Sequence, residues 1–444
     1  MKHRHIYGPH AYSRMPIADC YWSQDVPDAA LDHPPATGRI RCRTLVIGAG
    51  YTGLNAALAL AEDGGDVMVL DAQFPGFGAS GRNGGFCCLG GSRASDGALR
   101  RFGTKAPAQV RQAEAAAIAH VDALLNRLGI DVDRHSRGEA VMAHSPAMMK
   151  TLRAEAETLN RHGLSAQLIE RADLPAHGLH GPKWHGALHV DAGFALHPRK
   201  YLAGLARAAT RAGARIHGRS PVTEVRAGGR QLCVTTPTAE VEADRLIVAT
   251  NGYMSETLIP WFRNRTLPAQ SAVIATRPLT APELEAQGWT APTMAYEERR
   301  LLHYFHLTPD NRMVFGQRGG LIATAANDRR IRARVRADFD RLFPEWRGVE
   351  TPFSWSGMVC LTASLTPYCG PIPGLPGAFT AFGYHGNGVA MGSYLGAMLA
   401  DLTESRCPRN PLPLAFTAPP PRFPLGRARR LWLAAEYGWA RLTD

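Results

Sequence analysis

The chain has 444 residues, with 50 Lys or Arg against 38 Asp or Glu and a formal charge of +12. This length is long for one core and predicts two or three packed units, and 45 glycines with 32 prolines suit a loop-rich α/β protein rather than a fibrous or low-complexity chain. The arginines are spread along the whole sequence without an aromatic-interleaved basic block, which argues against a nucleic-acid partner. Eight cysteines, at 20, 42, 87, 88, 233, 360, 369 and 407, show neither C-x-x-C nor Cys/His ligand spacing. No disulfide framework and no metal centre is expected from them. Residues 1–25 hold no apolar run long enough for a signal-peptide core or a membrane span, so the expected localisation is cytoplasmic.

An irregular polar arm, residues 1–40, comes first, with Tyr21 and Trp22 placed to pack on the body. The apolar stretch Leu45 to Ile47 then reads as a strand running into Gly48-x-Gly50-x-x-Gly53, and an Ala/Leu-rich helix follows to Glu62. This is the dinucleotide fingerprint in its proper setting. Gly48 allows the tight turn, Gly50 lets backbone approach a pyrophosphate, Gly53 lets the helix pack on the sheet, and the first-turn N–H groups, including those of Tyr51 and Thr52, face phosphate oxygens. A second strand, Val67 to Leu70, delivers Asp71 and Ala72. Asp71 lies eighteen residues past Gly53, close to the ~20 expected of the acid that binds a ribose hydroxyl.

Gly76 to Gly85 (Gly-Phe-Gly-Ala-Ser-Gly-Arg-Asn-Gly-Gly) cannot build a core and must serve backbone that approaches something closely. Helical periodicity follows over Ala106 to Leu128 and Ala147 to His162, both expected in or beside a second domain, and again from Pro198 to Ala212. Strand-like segments run through Ala214 to His217, Ser220 to Val225, Leu232 to Thr235 and Leu246 to Ala249, ending at Thr250 and Asn251. Residues Ser271 to Thr276, His303 to Thr308 and Met313 to Gly316 predict a mostly antiparallel second sheet. Ala325 to Phe343 is a basic helix with a solvated face over that sheet. Gly383 to Val389 opens a further helix to Leu402, and a proline-rich arm leads to a short amphipathic helix with Leu425, Ala428, Trp432, Ala435, Trp439 and Leu442 on its apolar side. That side is expected to dock on the protein's own body or a second subunit, with peripheral membrane contact as the alternative.

With these segments in place the chain resembles the FAD-dependent oxidoreductases of the D-amino-acid oxidase (DAO) family, and within it the γ-glutamylputrescine oxidoreductase-like and glycine/sarcosine oxidase-like proteins. The resemblance rests on Gly48 to Gly53, Gly76 to Gly85, Val248 to Tyr253, His303 to His306 with Phe315 to Arg318, and Gly383 to Gly388. It implies an α/β fold: an FAD-binding Rossmann-like domain of glutathione-reductase type with a second, mostly antiparallel α+β substrate domain. The implied division is 41–110, 190–257 and 355–405 for a discontinuous FAD-binding domain, 111–189 and 258–354 for the substrate domain, and 406–444 for the arm and last helix. Cofactor contacts are implied for Gly78, Ala79, Ser80, Arg82, Asn83, Gly84 and Gly85, for Val222, and for Gly386, Asn387, Gly388 and Val389 along the ring edge. Ser364 stands where relatives carry Asp, and Asn387 where they often carry His. The spacing of Cys360 from Thr362 does not match the covalent attachment of some sarcosine oxidases, so non-covalent FAD is expected.

The resemblance also implies hydride transfer from a carbon beside an amine nitrogen to flavin, giving an imine that water hydrolyses. The substrate is then an amino acid, an N-methyl amino acid or an acylated polyamine, and oxygen or a quinone/electron-transfer partner takes the electrons. Tyr304, His306, Arg318 and His385 are the candidate catalytic residues, Arg318 as a two-pronged carboxylate anchor, with Tyr253 and Gln270 as weaker candidates. Two other readings remain: an auxiliary FAD-binding subunit of a heteromeric dehydrogenase, and an NAD-linked dehydrogenase, which the second glycine loop argues against.

Overall fold

The computed structural model describes residues 5–229, 231–299 and 301–443, and side chains as far as 438. In chain order the elements are β1 (Gly38–Ile47), α1 (Tyr51–Glu62), β2 (Val67–Leu70), β3 (Phe86–Cys87), α2 (Asp96–Leu99), α3 (Ala106–Leu128), β4 (Glu139–Met142), α4 (Pro146–Arg161), β5 (Ala166–Glu170) and β6 (Gly186–Val190). They continue with β7 (Phe194–Ala195), α5 (Pro198–Arg211), β8 (Arg215–His217), β9 (Glu224–Gly228), β10 (Gln231–Thr235), β11 (Ala239–Val248), β12 (Leu267–Ala275), α6 (Ala281–Gln287), β13 (Met294–Glu297) and β14 (His303–Leu307). The last are β15 (Met313–Arg318), α7 (Ala325–Leu342), β16 (Phe353–Leu361), β17 (Tyr368–Pro371), β18 (Ala378–Phe382), α8 (Ala390–Thr403), α9 (Leu414–Thr417) and α10 (Arg430–Thr443).

The first sheet runs β17-β18-β11-β1-β2-β8, with β10 against β11 and β9 against β10. Its central strands β18, β11, β1, β2 and β8 are parallel. Strands buried on both faces need continuous apolar runs, which Leu45 to Ile47, Val67 to Leu70 and Leu246 to Val248 supply. Helices α1, α5, α8 and α3 pack together on one face. Between α1 and α8 the approach is close: a Cβ on Gly396 would lie 2.4 Å from the Thr52 carbonyl.

The second sheet runs β16-β12-β15-β14-β13-β4-β6-β5 and is antiparallel except where β13 lies parallel to β4. Helix α7 covers one face with Ile331, Val335, Phe339 and Leu342. Each such apolar side chain contributes ~1.5–3 kcal/mol by leaving water, which is why a helix so rich in arginine stays docked. The opposite face turns toward the first sheet.

Three details differ from the sequence-based expectations. Residues 355–361, assigned above to the FAD-binding part, belong to β16 and pair along the whole of β12 in the second sheet; an alternating strand fits either sheet, and only its partner decides. Helix α3, assigned with the substrate part, packs on α8. The short strand expected at Ser220 to Val225 runs instead over Glu224–Gly228, because Ser220 and Thr223 spend their polar groups on turns with Ala36, Gly218 and Thr235.

The apolar side expected for the last helix is also rotated. Leu433 and Tyr437 are buried with Phe423 against Leu267 and Ala269 of β12, whereas Leu425 and Trp432 are 61% and 49% exposed and Ala428 and Ala435 are exposed too. The side chains of Trp439 and Leu442 lie outside the described residues. The rotation is set by Arg429, which is buried and donates to Glu256 at 2.5 Å, to the Thr266 carbonyl at 2.8 Å and to Asn264 at 3.1 Å. At the same strand the Tyr7 hydroxyl donates to the Pro268 carbonyl at 2.7 Å. Among the described residues no helix is long and apolar enough to cross a membrane.

Candidate active site

A cavity of about 930 Å³ lies between the two sheets, at the upper end of the ~300–1,000 Å³ common for small-molecule sites. Its roof begins where β1 turns into α1. Gly48 sits at φ +101°, and a Cβ there would meet the Ala249 carbonyl at 2.9 Å; on Gly50 it would meet Ser80 Oγ at 2.8 Å, and on Gly53 the Gly48 carbonyl at 1.8 Å. Only glycine allows the turn, the loop and the helix to converge so tightly. The N-cap of helix α1 is Gly50, which has no side chain to cap it, and the Tyr51 N–H donates to Ser80 Oγ at 3.1 Å; Tyr51 and Thr52 put the positive end of the helix on the cavity wall. Asp71 lines the same region with one oxygen on the Ala49 N–H at 2.8 Å and the other on the Gln73 N–H at 2.9 Å. Burial raises its pKa.

The second glycine loop folds back beneath this turn. Arg82 is 3% exposed yet meets no carboxylate among the described residues: it donates to the carbonyls of Phe77, Gly78 and Ser356 at 3.0–3.1 Å and stands over the Phe77 and Tyr253 rings. Asn83 donates to the Ser80 carbonyl and accepts from the Gly85 N–H, both at 2.8 Å. Both residues shape the loop from within. Ala72, Gly78, Ala79, Ser80, Gly84, Val222, Thr250 and Asn251 join them on the cavity wall, whereas Gly53 and Gly85 stand behind it.

The other end of the roof is the segment before α8. Gly386, Asn387, Gly388 and Val389 line the cavity, and α8 starts there without a side-chain cap. His385, at φ +53°, ties three loops. Its Nε2 accepts from the Thr362 N–H at 3.2 Å, which leaves Nδ1 as the donor to the Gly91 carbonyl at 2.8 Å. Burial first, then Arg318, pushes its pKa to about 4. Contrary to the expectation, this neutral ring has no free nitrogen for chemistry. Ser364 faces Thr362 and Thr366 at 3.3 and 2.9 Å in a chain of hydroxyls.

One face of the second sheet forms the floor, with Val141, Tyr296, Tyr304, Arg318, Ser271 and Gly357 on successive or nearby strands. Tyr304 lies between two glycines: a Cβ on Gly316 would be 2.1 Å from its Cζ and one on Gly84 2.7 Å from its Cε2. Its hydroxyl meets Ser271 Oγ at 3.0 Å. Arg318 donates to the His385 carbonyl at 2.8 Å and has no carboxylate partner among the described residues. Burial pushes its pKa down to about 10.

His306 does not reach the cavity. It is fully buried, donates from Nε2 to the Gly84 carbonyl at 2.8 Å, faces His135 at 2.9 Å and is driven to about 3 by burial. It braces the glycine loop. Gln270 points away on the opposite face of β12 and donates to Asp328 at 2.8 Å, while Tyr253 lines the cavity. A cluster of Asp25, Asp133 and His197 lies elsewhere, but His197 Nδ1 accepts from the Lys200 N–H and Lys200 Nζ occupies Asp133. The neutral imidazole then carries its proton on Nε2 and offers no lone pair there.

Two residues missed from sequence also line the cavity, Glu114 of α3 and Glu139 of β4. Glu139 is 2% exposed; the Tyr296 hydroxyl donates to it at 3.2 Å and the Leu89 N–H at 3.3 Å. Its only local signal is an acid inside the apolar run Glu139 to Met142.

Residues 43–402 match the family of FAD-dependent oxidoreductases called DAO. The probable oxidoreductase OrdL of Rhizobium meliloti (strain 1021) is 29% identical over 93% of this chain and 94% of its own length. The γ-glutamylputrescine oxidoreductase of Escherichia coli (strain K12) is 30% identical over 83% of this chain and 85% of its own. Among solved structures, glycine oxidase from Geobacillus kaustophilus superposes with a TM-score of 0.71 at 20% identity, covering 85% of this chain and 98% of that one.

Proposed function

The chain belongs to the FAD-dependent oxidoreductase (DAO) family, and from that premise we propose that it oxidises a carboxylate-bearing amine at the carbon beside the nitrogen, giving an imine that water hydrolyses. The cavity fits the cofactor by its own geometry: the glycine turn that brings backbone to the cavity wall, the start of α1 with Tyr51 and Thr52 on that wall, and the two oxygens of Asp71 suit a pyrophosphate and a ribose. We assign Gly48, Gly50, Tyr51, Thr52, Asp71, Ala72, the Gly78 to Gly84 loop, Val222, Thr250 and Asn251 to the nucleotide side, and Gly386 to Val389 to the ring edge. Gly53 and Gly85 act from behind as packing positions. Bound FAD supplies the two-electron acceptor.

Arg318 is the observation that carries the substrate reading. Arg318 is half-buried and has no anion beside it among the described residues; a partly desolvated guanidinium without an anion is unfavourable, and a substrate carboxylate in the cavity relieves that with a charge-assisted pair. The names of the relatives, glycine oxidase and γ-glutamylputrescine oxidoreductase, support a donor that carries both an amine and a carboxylate. Tyr304, wedged between Gly316 and Gly84, forms a flat floor that positions the donor, while His385 and His306 hold the loops around it. Attachment of FAD is non-covalent, because burial drives the Cys360 thiol to about 12 and deprives it of thiolate character. Either oxygen or a quinone/electron-transfer partner serves as final acceptor.

The test is an anaerobic titration of the FAD-loaded protein, read at the flavin band of about 450 nm, with pools of amines and amino acids. Bleaching by carboxylate-bearing amines supports the reading. A flavin band that persists with every pool refutes it.

A further inference from the structure

The cavity continues past Tyr304 to an end whose chemistry the oxidation itself does not require. Glu139 lies there, buried, with neutral donors only: the Tyr296 hydroxyl, the Leu89 N–H and the Cys88 thiol. No described cation pairs with it. Its two oxygens offer about four acceptor sites, of which these donors leave one for a further N–H. Burial pushes the carboxyl up to about 8, so an entering cation would be matched to a group that is costly to ionise alone. Glu114 of α3 faces the same space, with the Ser92 N–H on it at 3.1 Å, and is pushed to about 7 by burial. The side chain of Asn387, in the segment assigned to the ring edge, borders this end as well. It is 7% exposed and lines the cavity, its amide donates to the Cys88 carbonyl one residue before Leu89, and its Oδ1 has no hydrogen-bond donor. This end of the cavity thus presents acceptors that await an N–H donor.

Glu139 and Arg318 stand on β4 and β15 with β13 and β14 between them. The register sets Glu139 level with Val314, four residues from Arg318, so three strand spacings across and four residues along separate the two backbones by about 20 Å. An α-amino acid carries both charges on one carbon and cannot engage the two residues together unless the side chains close that whole distance. A chain of methylenes spans it, and Val141 and the Tyr296 and Tyr304 rings offer the apolar surface that methylenes prefer.

We propose that Glu139 is a specificity-determining residue that binds a cationic nitrogen of the substrate while Arg318 binds its carboxylate, so that the favoured donors are extended ω-amino carboxylates rather than α-amino acids. This rests on the reading of Arg318 as the carboxylate anchor. Glu114 at the same end is a second buried carboxyl that an entering ammonium can meet.

The test uses the FAD-loaded full chain and follows ligand binding through the change in the flavin spectrum under anaerobic conditions, so that binding is read apart from turnover. The ligands are 6-aminohexanoate, 6-hydroxyhexanoate, hexanoate and glycine. Wild-type protein is expected to bind 6-aminohexanoate at least about tenfold more tightly than either neutral-ended acid, and more tightly than glycine. In Glu139→Gln that preference collapses while hexanoate binds as before. The wild-type comparison stands alone if the variant does not fold: equal affinity for the amine and the alcohol, a preference for glycine, or no binding of 6-aminohexanoate overturns the proposal. If amines bleach the flavin but Glu139→Gln changes nothing, the specificity inference fails and the oxidation reading survives. If the amine preference depends on Glu139 but no amine bleaches the flavin, the reverse holds.

Discussion

Arg318 Nη2 donates to the His385 carbonyl at 2.8 Å, joining the floor of the cavity to the loop that opens α8. The same nitrogen would lie 2.8 Å from a Cβ on Gly386, so the guanidinium has one rigid seat. Replacing it with Ala removes the carboxylate anchor but no cofactor contact. Arg318→Ala should raise KM for a carboxylate-bearing amine about 10- to 100-fold, the scale of a lost charged hydrogen bond, with unchanged flavin content; Arg318→Lys should recover part of it. Steady-state kinetics with flavin absorbance per protein checks both.

Glycines separate the two halves of the site. Gly48→Ala forces a side chain to φ +101° and to 2.9 Å from the Ala249 carbonyl, at a cost of about 1–3 kcal/mol. It should purify with little FAD. Gly316→Ala places a methyl 2.1 Å from the Tyr304 ring, so it should retain FAD and lose turnover. A Gly316→Ala protein that is fully active would remove Tyr304 from the floor.

Titration of buried groups gives stability a pH window. His306 and His385 have pKa values of about 3 and 4 in the folded chain, below the usual ~6.5. Their contribution is present above that ordinary value and is lost as pH falls toward 4. Glu139 and Glu114, raised to about 8 and 7, act in the opposite sense: their contribution is full below about 4.5 and is lost as pH rises through 7–8. The ligand-free protein should therefore lose stability on both sides. The gain in Tm of Glu139→Gln over wild type should grow between pH 5 and pH 8, which thermal melts across that range will show.

The buried Cys360 thiol, driven to about 12, predicts that denaturation in acid or guanidinium frees all the FAD, and that Cys360→Ala keeps it bound under native conditions. Flavin that stays with the precipitated chain would contradict this.

The nucleotide turn was legible because phosphate contact demands glycine at fixed spacing, a local constraint written locally. The two histidines were not. His385 and His306 look free in sequence, and only the distant carbonyls of Gly91 and Gly84 consume their nitrogens. Glu139 was invisible for a related reason: it becomes part of a cavity floor only because β13 aligns beside β4, pairing Met294 with Glu139. The docking face of α10 was not legible: Leu433 and Tyr437 are buried rather than the expected Leu425, Ala428, Trp432 and Ala435, since periodicity cannot register the Arg429–Glu256 pair that turns the helix.

Strand β12, which carries Ser271 and Val273 into the floor, is held at its start by Tyr7 from one end of the chain and by Phe423, Arg429 and Leu433 from the other. During synthesis the first sheet and its glycine turns can close early, but this clasp cannot form until the ribosome has released residues 423–437. Nascent chains stalled before that point should gather flavin sooner than they gain a finished substrate floor, so that completion of the floor waits on residues 423–437.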